Sequence, residues 1–181
     1  PELKAITTDR SVANLNEGDA GLTAGGTLSM TDTDVADTVT ASVTAVALSG
    51  TAGALTPAAV LDLLSLAPGS ALPANPGDAH NLAWSFNSGT QAFDYLAAGQ
   101  SLALTYTVTG TDGAASDTQS VTINVTGTND AAEITGVASR TVVEATGSSP
   151  GDATASGNLL ATDVDNAHDV FQVVAAGTES A

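Results

Sequence analysis

Two segments late in the chain alternate with period two, and nothing else in the sequence restricts the fold as much. Leu102 to Thr109 puts Leu102, Leu104, Tyr106 and Val108 on one side and small or hydroxylated residues on the other. Ser120 to Thr126 does the same with Val121, Ile123 and Val125. A helix would scatter these apolar positions around its circumference, whereas a pleated strand gathers them on one face. Thr111-Asp112-Gly113 lies between the two runs, a turn with a glycine free to take positive φ. Shorter runs at Leu3 to Thr7, Ser11 to Leu15, Gly26 to Thr31, Thr38 to Leu48 and Asn81 to Phe86 are separated by Gly, Asp and Asn clusters. The expectation is an all-β chain folded as an antiparallel β-sandwich.

One segment departs from this pattern. Thr56-Pro57, followed by Ala58 to Leu66, combines an N-cap residue, proline at the first helical position and good helix formers. It predicts one short helix covering an end or edge of the sandwich, within an insertion over 48–80. Ala67 to Gly77, rich in Pro, Gly and Ala, reads as a loop. Gln91 to Gly99 reads as a turn with a little helix, its Phe93, Tyr95 and Leu96 available to plug the core.

Composition narrows the function. Twenty acidic against three basic side chains give a net charge of −17, which repels nucleic acid and anionic membrane. The absence of cysteine removes disulfides, thiolate metal sites and cysteine catalysis together. No apolar run approaches the roughly 18 residues of a membrane span. Acidity with few aromatics can signal disorder, but 43% of the residues are hydrophobic and only 13% are charged. A core is therefore expected, and an aliphatic one. The chain opens and stops mid-pattern, which suggests a piece of something longer.

The pattern repeats. GTLSMTDTD at 26–34 matches GNLLATDVD at 157–165, an offset of 131 residues. Val12 to Asp19 is echoed by Thr141 to Gly147, with four more residues in the following loop. Residues 1–130 thus read as one complete unit and 131–181 as the opening of a second. Tandem repetition of a whole β-domain is an architecture, not a catalytic arrangement.

The strand order then places the acids. Asp32 and Asp34 follow the second strand of the sandwich, and Asp112 lies in the last hairpin turn. These three share one end with the N-terminus. Glu17, Asp19 and Asp94 fall at the opposite end, where Asn129 and Asp130 leave for the next unit, which brings its own Asp163 and Asp165. Carboxylates gathered in this way repel or take up protons unless a cation sits among them. A set of hard oxygens without His or Cys selects Ca²⁺, which accepts six to eight of them in a flexible shell.

At this point a resemblance can be stated. NLAWSFNSGTQAFDYLAAGQSLALTYTVTGTDGAASDTQSVTINVTGTND at 81–130, with Ile134-Thr135-Gly136 and the TDxD strands, resembles the VCBS repeat of giant secreted bacterial adhesins of the RTX type. The spacing is also similar to that of cadherin repeats. By that resemblance Asp94 falls on the Asp of the LDRE motif, with Leu96 in place of its Glu. Asn129 and Asp130 fall on the inter-repeat linker, Asp163 and Asp165 on the DxD motif, Asp112 on the late Asp-x-Gly loop and Glu17 on the early Glu. The resemblance implies an immunoglobulin-like repeat at the bacterial cell surface, with neighbouring repeats as its partners. Ca²⁺ at the joints would stiffen a stalk used in adhesion or biofilm formation.

The remaining candidates read as structural. Trp84 and Phe86 alternate in a strand and belong to the core. Tyr106 is expected to tie its hydroxyl to backbone near Ala97 to Gln100. His80 is expected to be exposed and His168 to stand alone, neither with a Ser or Cys partner in a triad context. Asp9, Asp37, Asp62, Asp78, Asp117, Asp152 and Asp169 read as solvated charges, and Lys4, Arg10 and Arg140 as surface compensation. A second class of function stays open, a sugar- or protein-binding β-sandwich that uses the 48–80 insertion. Catalysis comes a distant third.

Overall fold

The computed structural model describes residues 1–148, 150–152, 154–166 and 171; His168 and Asp169 lie outside them. The chain divides into two compact units, Pro1–Asn129 and Asp130–Ala181. Among the described residues no helix is long and apolar enough to cross a membrane.

Unit 1 contains nine strands: β1 (Glu2–Lys4), β2 (Val12–Asn16), β3 (Thr23–Thr31), β4 (Thr38–Gly50), β5 (Leu64–Ala67), β6 (Leu72–Pro73), β7 (Leu82–Asn87), β8 (Ser101–Thr111) and β9 (Ser116–Thr126). One sheet has the order β1-β3-β7-β5 and the other β2-β9-β8-β4-β6. Both hairpin strands found by their alternation are longer than their apolar runs, and they pair antiparallel from Ser101↔Thr126 to Thr111↔Ser116. Their inward residues Leu102, Leu104, Tyr106, Val108, Val121, Ile123 and Val125 are fully buried. They meet Leu28, Met30, Leu82, Trp84 and Phe86 of the other sheet in one aliphatic core. Phe86 and Tyr106 touch across it, with ring centroids 6.4 Å apart. Burying each large apolar side chain contributes roughly 1.5–3 kcal/mol, so a few aromatics suffice.

The two opening runs form two strands, as the pattern predicts, but they lie in different sheets. β1 pairs with β3 in one sheet, then the chain crosses over and β2 pairs parallel with β9 in the other. Asp9 fixes the crossing. Its carboxylate, buried and not solvated, accepts from Ile6 N (3.1 Å), Thr27 Oγ1 (2.7 Å) and Ser29 Oγ (2.8 Å). Arg10 is exposed, as expected of a surface charge, and its guanidinium donates to the carbonyls of Val12 (3.1 Å) and Gly25 (3.4 Å).

The helix is shorter than expected. Thr56 does cap it, but it spans only Pro57–Val60 (α1) before a 3₁₀ turn over Leu61–Leu63. Tyr106 Oη donates to Val60 O at 2.8 Å, not to the backbone near Ala97, and takes a carbonyl that a longer helix would use. Leu64–Ala67 pairs with the otherwise open edge of β7. Sheet pairing outweighs helix propensity here, since a helix this short is marginal alone. The stretch 48–80 therefore supplies edge strands to both sheets, β5 to one and β6 to the other. Gln91 to Gly99 forms turns without a helix, and its Phe93 and Leu96 are fully buried.

In unit 2, β10 (Glu133–Gly136) pairs antiparallel with β11 (Leu159–Thr162). A bridge joins Val143 to Asp152.

Candidate functional site

Carboxylates collect at both poles of unit 1. At the pole that carries Pro1, β3 ends at Asp32, the β8–β9 turn supplies Asp112, and Asp37 precedes β4. One carboxylate oxygen from each of Asp32, Asp37 and Asp112 lies within 4.8 Å of the others, an arrangement that can hold a metal ion. Asp32 is 7% exposed. Its Oδ1 accepts from Asp34 N (3.0 Å), and its Oδ2 lies 3.3 Å from the Pro1 amine, which is 3.5 Å from Asp112. A cavity of about 200 Å³ opens beside it, lined by Pro1, Glu2, Thr31, Asp32 and Thr33.

The electrostatics of this cluster are uneven. Asp112 Oδ1 accepts from the amides of Ala114 and Ala115, both at 2.7 Å. These bonds, that from Ala115 first, hold its carboxyl below the usual carboxylate range. Asp37 is pushed up, chiefly by the charge of Asp34, then by burial and by Asp112 and Asp32. A cation placed there would remove that like-charge pressure.

Membership differs from the expected trio. Asp34 is exposed, with Oδ1 accepting from Ala36 N at 3.3 Å, and Asp37 takes its place in the cluster. The signal for Asp37 lay in the strand pattern. β4 pairs with β8 up to Thr40↔Thr111, so the residue that precedes β4 must lie near the β8–β9 turn.

The other pole is built by three segments. Glu17 follows β2, and its amide donates to Thr126 O at 2.9 Å. Its Oε1 accepts from Thr128 N at 2.7 Å and also from Thr128 Oγ1. Gly127 N donates to Gln100 O at 3.0 Å, which brings the loop after β7 against the end of β9. A Cβ at Gly127 would run into the carbonyls of Leu96 and Ala97, so only glycine permits this approach. Asp94 belongs to that loop and directly follows Phe93, a fully buried residue at φ 71. Left-handed backbone is costly for a bulky residue and persists because the ring is buried in the core.

Two oxygens at this pole are incompletely served. Glu17 is 5% exposed, and its Oε2 has no hydrogen-bond partner among the described residues; nor has the buried Oδ1 of Asp94. An orphaned buried acceptor costs about 1–3 kcal/mol, and more when it carries charge. Hard, charged oxygens left over in this way fit a hard cation. Asp19 is exposed beyond Glu17 and joins no described cluster, and Asn129 is exposed at the end of the unit.

In unit 2, Asp130 N donates to Asp165 Oδ2 at 3.3 Å. Asp163 and Asp165 are half-buried while Val164 between them is 61% exposed, so the two carboxylates share a side. A cavity of about 300 Å³ is lined by Ala131, Glu133, Thr162, Asp163 and Val164.

Acids expected to be solvated charges also accept hydrogen bonds, from backbone at Asp117 and at the exposed Asp152, and from side-chain amides at Asp78. Asp117 Oδ2 accepts from Leu3 N at 2.9 Å and docks β1. Asp78 accepts from Asn75 and Asn81, and Asp152 from Thr154. His80, although partly exposed, places Nδ1 2.6 Å from Asp9 Oδ1 and Nε2 3.0 Å from Thr8 Oγ1. This clasp ties the crossing segment to the start of β7.

The chain matches no protein-family model and no curated protein sequence.

Proposed function

We propose that the chain is a non-catalytic, Ca²⁺-stabilised extender segment of a large secreted bacterial adhesin, built of VCBS-type repeats with an immunoglobulin- or cadherin-like organisation. Ca²⁺ binds the carboxylates at the poles of each repeat, cancels their repulsion and removes bending freedom from the linker. The stalk so stiffened serves adhesion or biofilm formation at the cell surface. The observation that carries the reading is Glu17, almost wholly buried with one charged oxygen unmatched by any described donor.

Repetition is supported by register. β1 pairs with β3 as Glu2↔Thr31, Leu3↔Met30 and Lys4↔Ser29. β10 pairs with β11 as Glu133↔Thr162, Ile134↔Ala161 and Thr135↔Leu160, the same ladder 131 residues on. The cavities beside Asp32 and Asp163 share lining positions at that same offset. Extracellular modules of this kind bind Ca²⁺ at about 10⁻⁴–10⁻³ M, so the sites would be empty in the cytosol and filled outside.

The test compares the 181-residue chain with a Glu17→Ala, Asp130→Ala double variant, by thermal melting and by length from X-ray scattering, in Ca²⁺ and in chelator. Wild type should gain melting temperature and length with Ca²⁺, and the variant should not. Equal responses would defeat the assignment, and binding to immobilised glycans without any Ca²⁺ effect would favour a lectin-like module.

A further inference from the structure

His80 joins two side chains that are neighbours in sequence. Its Nδ1 lies 2.6 Å from Asp9 Oδ1 and its Nε2 lies 3.0 Å from Thr8 Oγ1. Asp9 sets the direction of both bonds. Its side chain is 0% exposed. Burial would raise its carboxyl, but hydrogen bonds from Thr27, Ser29, Ile6 and His80 prevail and hold it below the usual carboxylate range. A carboxylate only accepts, so Nδ1 carries the proton of the neutral ring and Nε2 presents its lone pair. Thr8 then donates its O–H to Nε2. A hydroxyl on a base, with that base oriented by a buried carboxylate, is the arrangement that activates an oxygen nucleophile.

The ring is held more firmly than a surface contact requires. His80 N donates to Ser29 Oγ at 3.0 Å. The next residue, Asn81, is locked on Met30, its Oδ1 accepting from Met30 N at 2.8 Å and its Nδ2 donating to Met30 O at 2.9 Å. His80 itself sits at φ 55, a left-handed backbone that a non-glycine residue keeps where its surroundings impose it. Holding the crossing segment does not call for the whole set. Asp9 already accepts from Ile6 N, Thr27 Oγ1 and Ser29 Oγ, and Thr8 adds no tie that its neighbour has not made. Thr8 is exposed and the imidazole is 42% exposed, so the hydroxyl is open to a reagent from solvent. The amides of Thr7 and Thr8 donate to no described group, which leaves backbone donors in the same turn for charge developing on an acyl oxygen.

We infer that Thr8 is an acyl-acceptor site, with His80 as its general base and Asp9 as the positioning residue, which takes a small acyl group from an activated ester or thioester. Thr8 Oγ attacks the acyl carbon while its proton passes to His80 Nε2. The bond from that carbon to the leaving oxygen or sulfur then breaks, and the leaving group takes the proton from Nε2. The products are an ester on Thr8, a free alcohol or thiol, and a neutral ring. One transfer to the protein involves no turnover, so the site adds to the extender reading. It uses none of the carboxylates at the poles and does not rest on Ca²⁺.

The 181-residue chain is incubated with p-nitrophenyl acetate in chelator. Nitrophenolate release is followed by absorbance, and acetylated positions are located by tandem mass spectrometry. Thr8 should be acetylated at least about a hundredfold faster than Thr118, an exposed threonine with no base beside it. Thr8→Ser should keep that advantage. His80→Asn, which tolerates left-handed backbone but supplies no base, should remove it. Thr8→Val leaves the Asp9–His80 contact in place and should release one equivalent less nitrophenolate per chain. Acetyl groups confined to the Pro1 amine and Lys4, labelling of Thr8 no faster than of Thr118, or labelling undiminished in His80→Asn would overturn the assignment.

Discussion

Replacing Glu17 by glutamine changes one charge and almost no volume, so its opposing effects can be weighed. In chelator the wild-type carboxylate is buried with Oε2 unmatched by any described donor. Removing that charge should relieve about 1–3 kcal/mol. Against this, the bonds from Thr128 N and Oγ1 to Oε1 survive but lose charge assistance, at a cost of about 1 kcal/mol. The amide nitrogen that takes the place of Oε2 is itself a buried donor without an acceptor, at a cost of about 1–3 kcal/mol, so the metal-free variant is expected within about 1 kcal/mol of wild type. In Ca²⁺ at tenfold excess over Kd the wild type gains about 1.4 kcal/mol by mass action, or about 5 °C in Tm for a unit of this size, and a variant lacking a charged ligand gains much less. The Ca²⁺-induced rise in Tm, followed by circular dichroism, should therefore be large for wild type and small for Glu17→Gln. If Glu17→Gln gains as much from Ca²⁺ as wild type, the orphaned oxygen is not a cation ligand.

Three further outcomes follow from the same contacts. Tyr106→Phe strands the Val60 carbonyl in the core and should cost about 1–2 kcal/mol in chemical denaturation, with the m-value unchanged. Asp9 is held below the usual carboxylate range: burial opposes the shift, but hydrogen bonds from Thr27, Ser29, Ile6 and His80 outweigh it. Its stabilising contribution is present above the unfolded pKa and is lost as pH falls through the lower folded value. The stability gap between wild type and Asp9→Asn should accordingly narrow from pH 5 down to about pH 2. Asp37 has the opposite sign, since its carboxyl is pushed up by Asp34 and by burial. Metal binding near pH 4–5 should therefore release protons, visible as buffer-dependent heats in calorimetry, and Asp37→Asn should reduce that release.

What the sequence makes legible is whatever period two and turn chemistry encode. The β8–β9 hairpin, the Trp84–Phe86 strand and the segregation of acids to the poles all follow from alternation and from chain direction. The errors share one cause, competition from partners distant in sequence. Leu64–Leu66 favours a helix locally, yet the open edge of β7 draws it into a sheet. Asp9 and Asp117 look like solvated charges until the crossing of β1 and β2 supplies amides and hydroxyls for them to accept. The DxD spacing points to Asp34, whereas Asp37 is reached only by carrying the strand pattern through to the pairing of β4 with β8. The crossover itself, with β2 parallel to β9, leaves no mark in periodicity, since a parallel and an antiparallel neighbour ask for the same alternation.

The most direct test is anomalous scattering from crystals grown in millimolar Ca²⁺. Density for a calcium ion should stand about 2.3–2.6 Å from Glu17 Oε2 and Asp94 Oδ1, with a second ion among Asp32, Asp37 and Asp112. Water or a lysine ammonium beside those oxygens, with no anomalous signal at either pole, would contradict the account.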